Sequence, residues 1–136
     1  MLKSLKIVLA DDDEDDRDFF REAVGLTGVP AALTTVKNGL ELMQLLQTSD
    51  KFDMIVLDLN MHLKNGIESL EEIKADTKHS DTFCAVLTTA SNRHLQEELI
   101  KKGADMFRTK PYNYELYVET VKEIISSAWL RTYENR

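Results

Sequence analysis

Short apolar segments alternate with longer amphipathic segments along almost the whole chain, and this alternation most constrains the fold. Five short runs have the apolar and β-branched character that is typical of strands. They occupy residues 5–10, 32–36, 54–58, 83–88 and 105–109. The first, third and fourth runs are almost continuously apolar, as parallel strands are when both faces of the sheet are covered. The sequence therefore predicts a parallel sheet with a buried centre.

The segments between these runs have helical periodicity, with apolar residues three or four positions apart. They occupy residues 15–27, 39–48, 66–76, 92–102 and 113–131. Five strand–helix repeats joined by right-handed crossovers form a doubly wound sheet. We therefore predict an α/β fold with five parallel strands in the order 2-1-3-4-5 and five helices.

The same periodicity predicts which helical residues face the sheet. In the first helix these are Phe19, Phe20, Ala23 and Leu26, and in the fourth they include Ile100. The predicted stripe of the last helix consists of Leu116, Val121, Ile124, Ile125 and Ala128. Gly103 follows two lysines and is predicted to end the fourth helix, because glycine readily takes the left-handed conformation of a helix C-terminus.

The size and charge of the chain limit its functions. Its 136 residues, 43% hydrophobic and 30% charged, suit a globular domain with one core. A net charge of −7 argues against binding to nucleic acid or to an anionic membrane. The chain has no apolar run of the length that a membrane span needs, and its one cysteine, Cys84, is predicted to lie in the core. The expected compartment is the cytoplasm.

Polar residues collect at the predicted carboxyl ends of the strands, where doubly wound folds bind their ligands. Asp11 and Asp12 follow the first strand, Asp58 ends the third, Thr88 ends the fourth and Lys110 follows the fifth. Neighbouring carboxylates resist joint ionisation unless a cation lies among them, and Mg²⁺ prefers such oxygen ligands. Carboxylates, a divalent metal, an ammonium and a hydroxyl together form a site suited to phosphoryl transfer onto a carboxylate.

These residues give the chain a family resemblance. It resembles the receiver domain of two-component response regulators, and in particular the stand-alone, CheY-like members. The resemblance covers residues 5–128 and makes residues 1–136 a single receiver domain, with 129–136 extending the last helix. The matching features are the Asp11–Asp12 pair, "VLDLNM" around Asp58, Gly66, "VLTTAS" around Thr88, and "FRTKP" with Lys110 and Pro111.

The resemblance implies a role for each site residue. Asp58 would be the phosphoacceptor, Thr88 would hydrogen-bond a phosphoryl oxygen, and Lys110 would pair with the phosphate. Mg²⁺ would be held by Asp58, directly by Asp12, and by Asp11 largely through water.

Three further expectations come from the same resemblance. The backbone carbonyl of Asn60 would complete the metal ligands. Phe107 would be the aromatic residue that moves inward as Thr88 shifts toward the phosphate. The peptide bond between Lys110 and Pro111 is expected to be cis.

The implied function is that of a single-domain response regulator in a phosphorelay. It would accept its phosphoryl group from a histidine kinase or a phosphotransfer protein, and it would be no enzyme beyond its own Mg²⁺-dependent phosphorylation and dephosphorylation. A downstream protein would bind the face made by helix 4, strand 5 and helix 5, drawing on Tyr112, Tyr114 and Tyr117. Whether Trp129 and Tyr133 pack on the domain or meet a partner, such as a second copy, stays open.

Two alternatives compete with this interpretation. A haloacid-dehalogenase-like phosphatase also has an aspartate nucleophile and Mg²⁺, but needs a second aspartate two residues later, where this chain has Asn60. Its nucleophile also follows the first strand rather than the third. The other alternative is a receiver-like scaffold that no longer accepts phosphate. His62, in the loop after Asp58, is expected to be solvated rather than a metal ligand.

Overall fold

Strands and helices alternate through the computed structural model, which describes residues 4–49, 51–90 and 92–134. Within these residues the predicted five strands and five helices are confirmed. Their bounds are β1 Leu5–Ala10, α1 Glu14–Leu26, β2 Ala31–Val36, α2 Gly39–Thr48, β3 Met54–Leu57, α3 Gly66–Ala75, β4 Phe83–Thr88, α4 Arg93–Lys101, β5 Met106–Thr109 and α5 Tyr114–Glu134.

The five strands form one parallel sheet in the order β2-β1-β3-β4-β5, as predicted. Alternate residues of a strand point to opposite faces, so Ile7 and Leu9 join the core under α1 and α5, whereas Val8 and Ala10 join the core under α2, α3 and α4. Both faces of the central strands are therefore buried, which explains their continuous apolar character.

Polar caps fix the starts of the helices that border the sheet's carboxyl edge. The Asp13 side chain accepts a hydrogen bond from the amide of Asp16 at 3.0 Å, and three acidic residues fill the first turn of α1, where the helix dipole favours negative charge. Asn65 and Glu68 form a reciprocal capping box at the start of α3. At the end of α4, Gly103 has φ +110° as predicted.

Some helical residues predicted to face the sheet are exposed instead. Phe20 and Ala23 are buried, but Phe19 and Leu26 are 47% and 56% exposed. Phe20, Ala23 and Val24 mark the buried side of α1, and the 100° step between successive residues turns Phe19 away from it. The prediction was also wrong for Ile100 in α4 and Leu116 in α5, which are both exposed.

The C-terminal part of α5 packs on the domain. Trp129 is partly buried against the core under α1 and α5, and its ring lies 4.3 Å from that of Tyr133, measured between centroids. Two residues after Trp129, Arg131 donates hydrogen bonds to the Asp105 carboxylate at 2.6 Å and to the Asp81 carbonyl at 3.0 Å. Trp129 therefore contacts the domain in this structure.

Two smaller predictions are also answered. Cys84 is fully buried, and burial raises the pKa of its thiol to about 12, so it behaves as a core residue.

None of the helices among the described residues has both the length and the apolar character needed to cross a membrane.

Candidate functional site

The pairing of β1 with β3 brings three carboxylates to one edge of the sheet. The amide of Asp58 donates to the carbonyl of Ala10 at 3.0 Å, which continues the β1–β3 pairing beyond the last strand residue. As predicted from the strand ends, Asp11, Asp12 and Asp58 converge, with one oxygen of each within 4.8 Å of the others. Oxygens at this spacing could bind one hard divalent cation.

Lys110 adds a buried positive charge to the same edge. Its Nζ lies 2.8 Å from Asp11 Oδ2, 2.8 Å from Asp16 Oδ2 and 3.7 Å from Asp58 Oδ2. The side chain is only 8% exposed, and the Lys110 amide donates to the carbonyl of Thr88 at 2.8 Å. The end of β4 therefore fixes the backbone from which the ammonium reaches across to β1.

Burial strongly affects the ionisation of these groups. It raises the pKa of Asp11 to about 6, although the hydrogen bond and charge of Lys110 act in the opposite direction. It also raises the pKa of Asp58, against the Lys110 charge and hydrogen bonds from the Asn60 amide and the Thr88 hydroxyl. The two carboxylates are thus short of positive charge, and a divalent cation between them would supply it. The donor set fits Mg²⁺.

Lys110 itself has the opposite balance. Burial lowers the pKa of its ammonium, but hydrogen bonds to Asp11 and Asp16, together with the nearby Asp58 carboxylate, outweigh burial. The net effect is a pKa above the ordinary value for lysine, so Lys110 is charged at every physiological pH.

The two threonines at the end of β4 differ in burial. Thr88 is fully buried and its hydroxyl accepts a hydrogen bond from the Ala90 amide at 3.2 Å, whereas Thr89 is exposed. Thr88 is also the threonine whose hydroxyl stabilises the Asp58 carboxylate. Phe107, two positions into β5, is 5% exposed and packs in the core under α2, α3 and α4. Its ring is inward in this structure.

The loop after Asp58 borders an open cavity of about 590 Å³ beside the carboxylates. The cavity is lined in part by Asp12, Asn60, His62 and Ala90. His62 is almost fully exposed, and its Nε2 lies 3.8 Å from Asp12 Oδ2, in keeping with a solvated side chain. The cavity reaches Asp12 of the carboxylate group and Asn60, two residues after Asp58.

Two expectations about the segment after β5 are wrong. The structure has no cis peptide bond in the described residues, so the Lys110–Pro111 bond is trans, the isomer that X–Pro bonds favour by about 0.5–1 kcal/mol. The predicted tyrosine face is also differently arranged. The Tyr114 hydroxyl donates to Glu22 at 2.5 Å, and Tyr117 is buried in the core under α1 and α5. Both therefore face α1 rather than α4.

Two further residues at the site were not singled out from the sequence. Asp16, treated there only as part of an acidic helix start, binds Lys110, and Arg17 Nη1 donates to the Asp11 carbonyl at 2.9 Å. A signal for Asp16 was present. It lies one turn before Phe20, and residues four apart share a helix face, so the buried Phe20 turns Asp16 toward the domain.

Comparison with known proteins agrees with the site. A family model described as the response regulator receiver domain matches residues 7–122, and the chain therefore belongs to the receiver family of response regulators. This membership sets aside the phosphatase alternative. A CheY homolog, a chemotaxis protein of Campylobacter jejuni, is 21% identical over 123 residues, which cover 90% of this chain and 94% of that relative.

Solved structures give the same result. The phosphorylated cyanobacterial phytochrome response regulator RcpA superimposes with a TM-score of 0.86 and 31% identity, covering 96% of each chain. The Mn²⁺-bound form of the response regulator Rcp1 has a TM-score of 0.83 and 28% identity, covering 93% of this chain and 95% of that one.

Proposed function

We propose that the chain is the receiver domain of a response regulator in which Asp58 accepts a phosphoryl group in a Mg²⁺-dependent reaction. The observation that carries this proposal is the convergence of three carboxylates within 4.8 Å, with the Lys110 ammonium 3.7 Å from Asp58. The donor is a histidine kinase or a histidine phosphotransfer protein. One receiver domain spans residues 1–136 in this proposal, and the protein acts in the cytoplasm.

The reaction transfers a phosphoryl group from the donor, which is the leaving group, to the Asp58 carboxylate, which is the nucleophile. An oxygen of the Asp58 carboxylate forms a bond to phosphorus while the bond from phosphorus to the donor breaks, and the donor departs with that electron pair. Bound Mg²⁺ would neutralise charge on the transferring oxygens. Asp12 would hold it directly, Asp11 largely through water, and Asn60 through its backbone carbonyl, together with Asp58.

The protein's own groups would bind the product. The Thr88 hydroxyl, which stabilises the Asp58 carboxylate in the resting protein, would donate to a phosphoryl oxygen instead. Lys110 would pair with a second phosphoryl oxygen. The shift of Thr88 would change the packing around Phe107, and this rearrangement would carry the signal away from the site.

The proposed output surface is the face of α4, β5 and α5. Its support is an open cavity of about 430 Å³ lined in part by Pro111, Leu116 and Glu123. Arg108 of β5 pairs with Glu123 of α5 on this face, and Leu116 is 59% exposed. A target protein that binds differently when the conformation of β5 changes would contact these residues. Tyr112, which is fully exposed, lies in the loop that joins the face to the phosphorylation site.

Intact mass spectrometry tests the proposal. The protein is incubated with acetyl phosphate, with and without Mg²⁺, and compared with Asp58→Asn and Asp15→Asn. We expect a Mg²⁺-dependent gain of one phosphoryl group in the wild type and in Asp15→Asn, whose altered residue is an exposed acid of the same site edge, and no gain in Asp58→Asn. No gain in the folded wild type would favour the scaffold alternative.

A further inference from the structure

Asp16 shares the buried ammonium of Lys110 with Asp11, although it lies outside the group of carboxylates suited to a metal. The two oxygens, Asp11 Oδ2 and Asp16 Oδ2, are each 2.8 Å from Nζ, while Asp58 Oδ2 at 3.7 Å is beyond hydrogen-bonding distance. In the resting protein, two of the three N–H donors of Lys110 are therefore directed at carboxylates other than the phosphoacceptor.

The first turn of α1 holds Asp16 in this position. The Asp16 amide is bound by the Asp13 cap at 3.0 Å, and Phe20, one turn later, is fully buried. The Asp16 side chain is 35% exposed, whereas the Lys110 side chain that it pairs with is 8% exposed. The ion pair is therefore partly shielded from water. Shielded pairs interact more strongly than pairs on an open surface.

On the basis of the proposed function, we propose that Asp16 is a positioning residue that holds Lys110 in the resting protein and weakens its interaction with a phosphoryl group on Asp58. Phosphorylation increases the negative charge at Asp58, and the new phosphoryl oxygens need the ammonium. The charge of Lys110 is by then already shared with Asp16. Asp16 thus lowers the affinity of the site for a phosphoryl group and stabilises the resting state relative to the phosphorylated state.

Binding of beryllofluoride, a tetrahedral mimic of a phosphoryl group on a carboxylate, tests this inference. The affinity is measured by titration calorimetry at saturating Mg²⁺. Asp16→Asn removes the competing charge and keeps the size of the side chain, so we expect binding about 3- to 10-fold tighter than in the wild type. Raising the salt concentration leaves most of this gain, because the pair is partly buried.

Asp15→Asn is the matched control. Asp15 lies in the same turn of α1 and is exposed, so its substitution removes the same charge without freeing Lys110. We expect a change of less than about twofold in this control. Asp16→Glu keeps the charge, and its affinity is expected nearer to the wild type than to Asp16→Asn.

A second measurement needs neither metal nor phosphoryl mimic. In EDTA, the unfolding temperatures of Asp16→Asn, Lys110→Met and the double variant form a double-mutant cycle. We expect the unfolding temperature of the double variant to fall by less than the sum of the decreases in the two single variants, because both single changes break the same ion pair. Additive losses would contradict the pairing that the inference needs.

The outcomes separate the inference from the function on which it rests. Equal affinities in Asp16→Asn and Asp15→Asn, or weaker binding in Asp16→Asn, would overturn the role of Asp16 while a phosphorylated wild type upholds the receiver function. A folded wild type that neither binds beryllofluoride nor gains mass with acetyl phosphate would overturn both.

Discussion

Gly66, the first residue of α3, lies directly against the backbone of Asp58. A Cβ at this position would overlap the Asp58 carbonyl oxygen and lie 2.9 Å from Leu59 Cα. The Gly66 amide donates to the Leu59 carbonyl at 3.1 Å. The start of α3 therefore fixes the backbone that presents the phosphoacceptor, and only a residue without a side chain fits there.

Gly66→Ala is expected to disturb both stability and the site. Its methyl group would push on backbone atoms, which cannot turn aside as a flexible side chain can, so we expect a loss of about 1–3 kcal/mol in the free energy of unfolding. Phosphorylation of Asp58 by acetyl phosphate should slow as well. Urea unfolding and a time course of intact mass measure the two effects.

Gly25→Ala provides the contrast. Gly25 lies inside α1 and nothing would come within 4 Å of an added Cβ. Alanine is a better helix former than glycine, so this change should stabilise the protein by about 0.5–1 kcal/mol. Equal stability of the two alanine variants would show that the backbone of Asp58 yields to Gly66→Ala without cost.

Asp11→Asn is expected to stabilise the Mg²⁺-free protein near pH 7. Burial raises the pKa of Asp11 from 3.8 to about 6 in the folded protein, so between these values the folded state binds more protons than the unfolded state. Stability then falls as the pH rises through this range, and the loss is complete above about pH 6. The neutral amide avoids this loss, and we expect a gain of about 1–3 kcal/mol by urea unfolding in EDTA.

The gain should disappear below about pH 4, where Asp11 is protonated in both states. Asp18→Asn, a change at a mostly exposed acid of α1, should have little effect at either pH. Mg²⁺ stabilises a protein when it binds only the folded state. Because Asp11→Asn removes one of the proposed Mg²⁺-binding carboxylates, added Mg²⁺ should raise the unfolding temperature of the wild type more than that of the variant. A less stable Asp11→Asn protein at neutral pH would contradict the shifted pKa.

The strand order could be predicted because continuous apolar runs report burial on both faces of a sheet. The helix faces were harder to predict. An apolar residue next to the buried stripe, such as Phe19, looks the same in the sequence whether it faces the sheet or a neighbouring helix. Its ring meets that of Tyr114 with centroids 6.2 Å apart, and only the position of α5 beside α1 reveals that contact.

The site could be predicted for a similar reason. Residues that end parallel strands share an edge, so Asp11, Asp58 and Lys110 converge whatever the loops between them do. The Asp16–Lys110 pair is a contact between a helix and a loop, and its signal was only the position of Asp16 relative to Phe20. The residues alone favour a trans bond before Pro111, and the expectation of a cis bond came only from the family resemblance.

Ala90 is expected to set the lifetime of the phosphorylated protein. Hydrolysis needs a water molecule in line with the bond between Asp58 and phosphorus, and Ala90 lies with Asn60 in the wall of the open cavity beside the site. Ala90→Met would narrow this route, and we expect dephosphorylation to slow by about threefold or more. The decay of the phosphorylated mass after removal of acetyl phosphate measures the rate.

Ala90→Ser tests whether size is the cause. Serine is nearly as small as alanine, so its dephosphorylation rate should stay close to that of the wild type. If Ala90→Met loses its phosphoryl group as fast as the wild type, water reaches Asp58 by another path.

Trp129 is expected to stabilise the domain rather than to mediate self-association. It is partly buried against the core under α1 and α5 and its ring contacts that of Tyr133, so Trp129→Ala should lower the free energy of unfolding by about 2–3 kcal/mol. Leu130→Ala, at a neighbouring residue that is 55% exposed, should cost under about 0.5 kcal/mol. Urea unfolding and sedimentation measure stability and association together. Unchanged unfolding with lost association in Trp129→Ala would mean that the indole is a contact surface, because a packed side chain cannot be removed without cost.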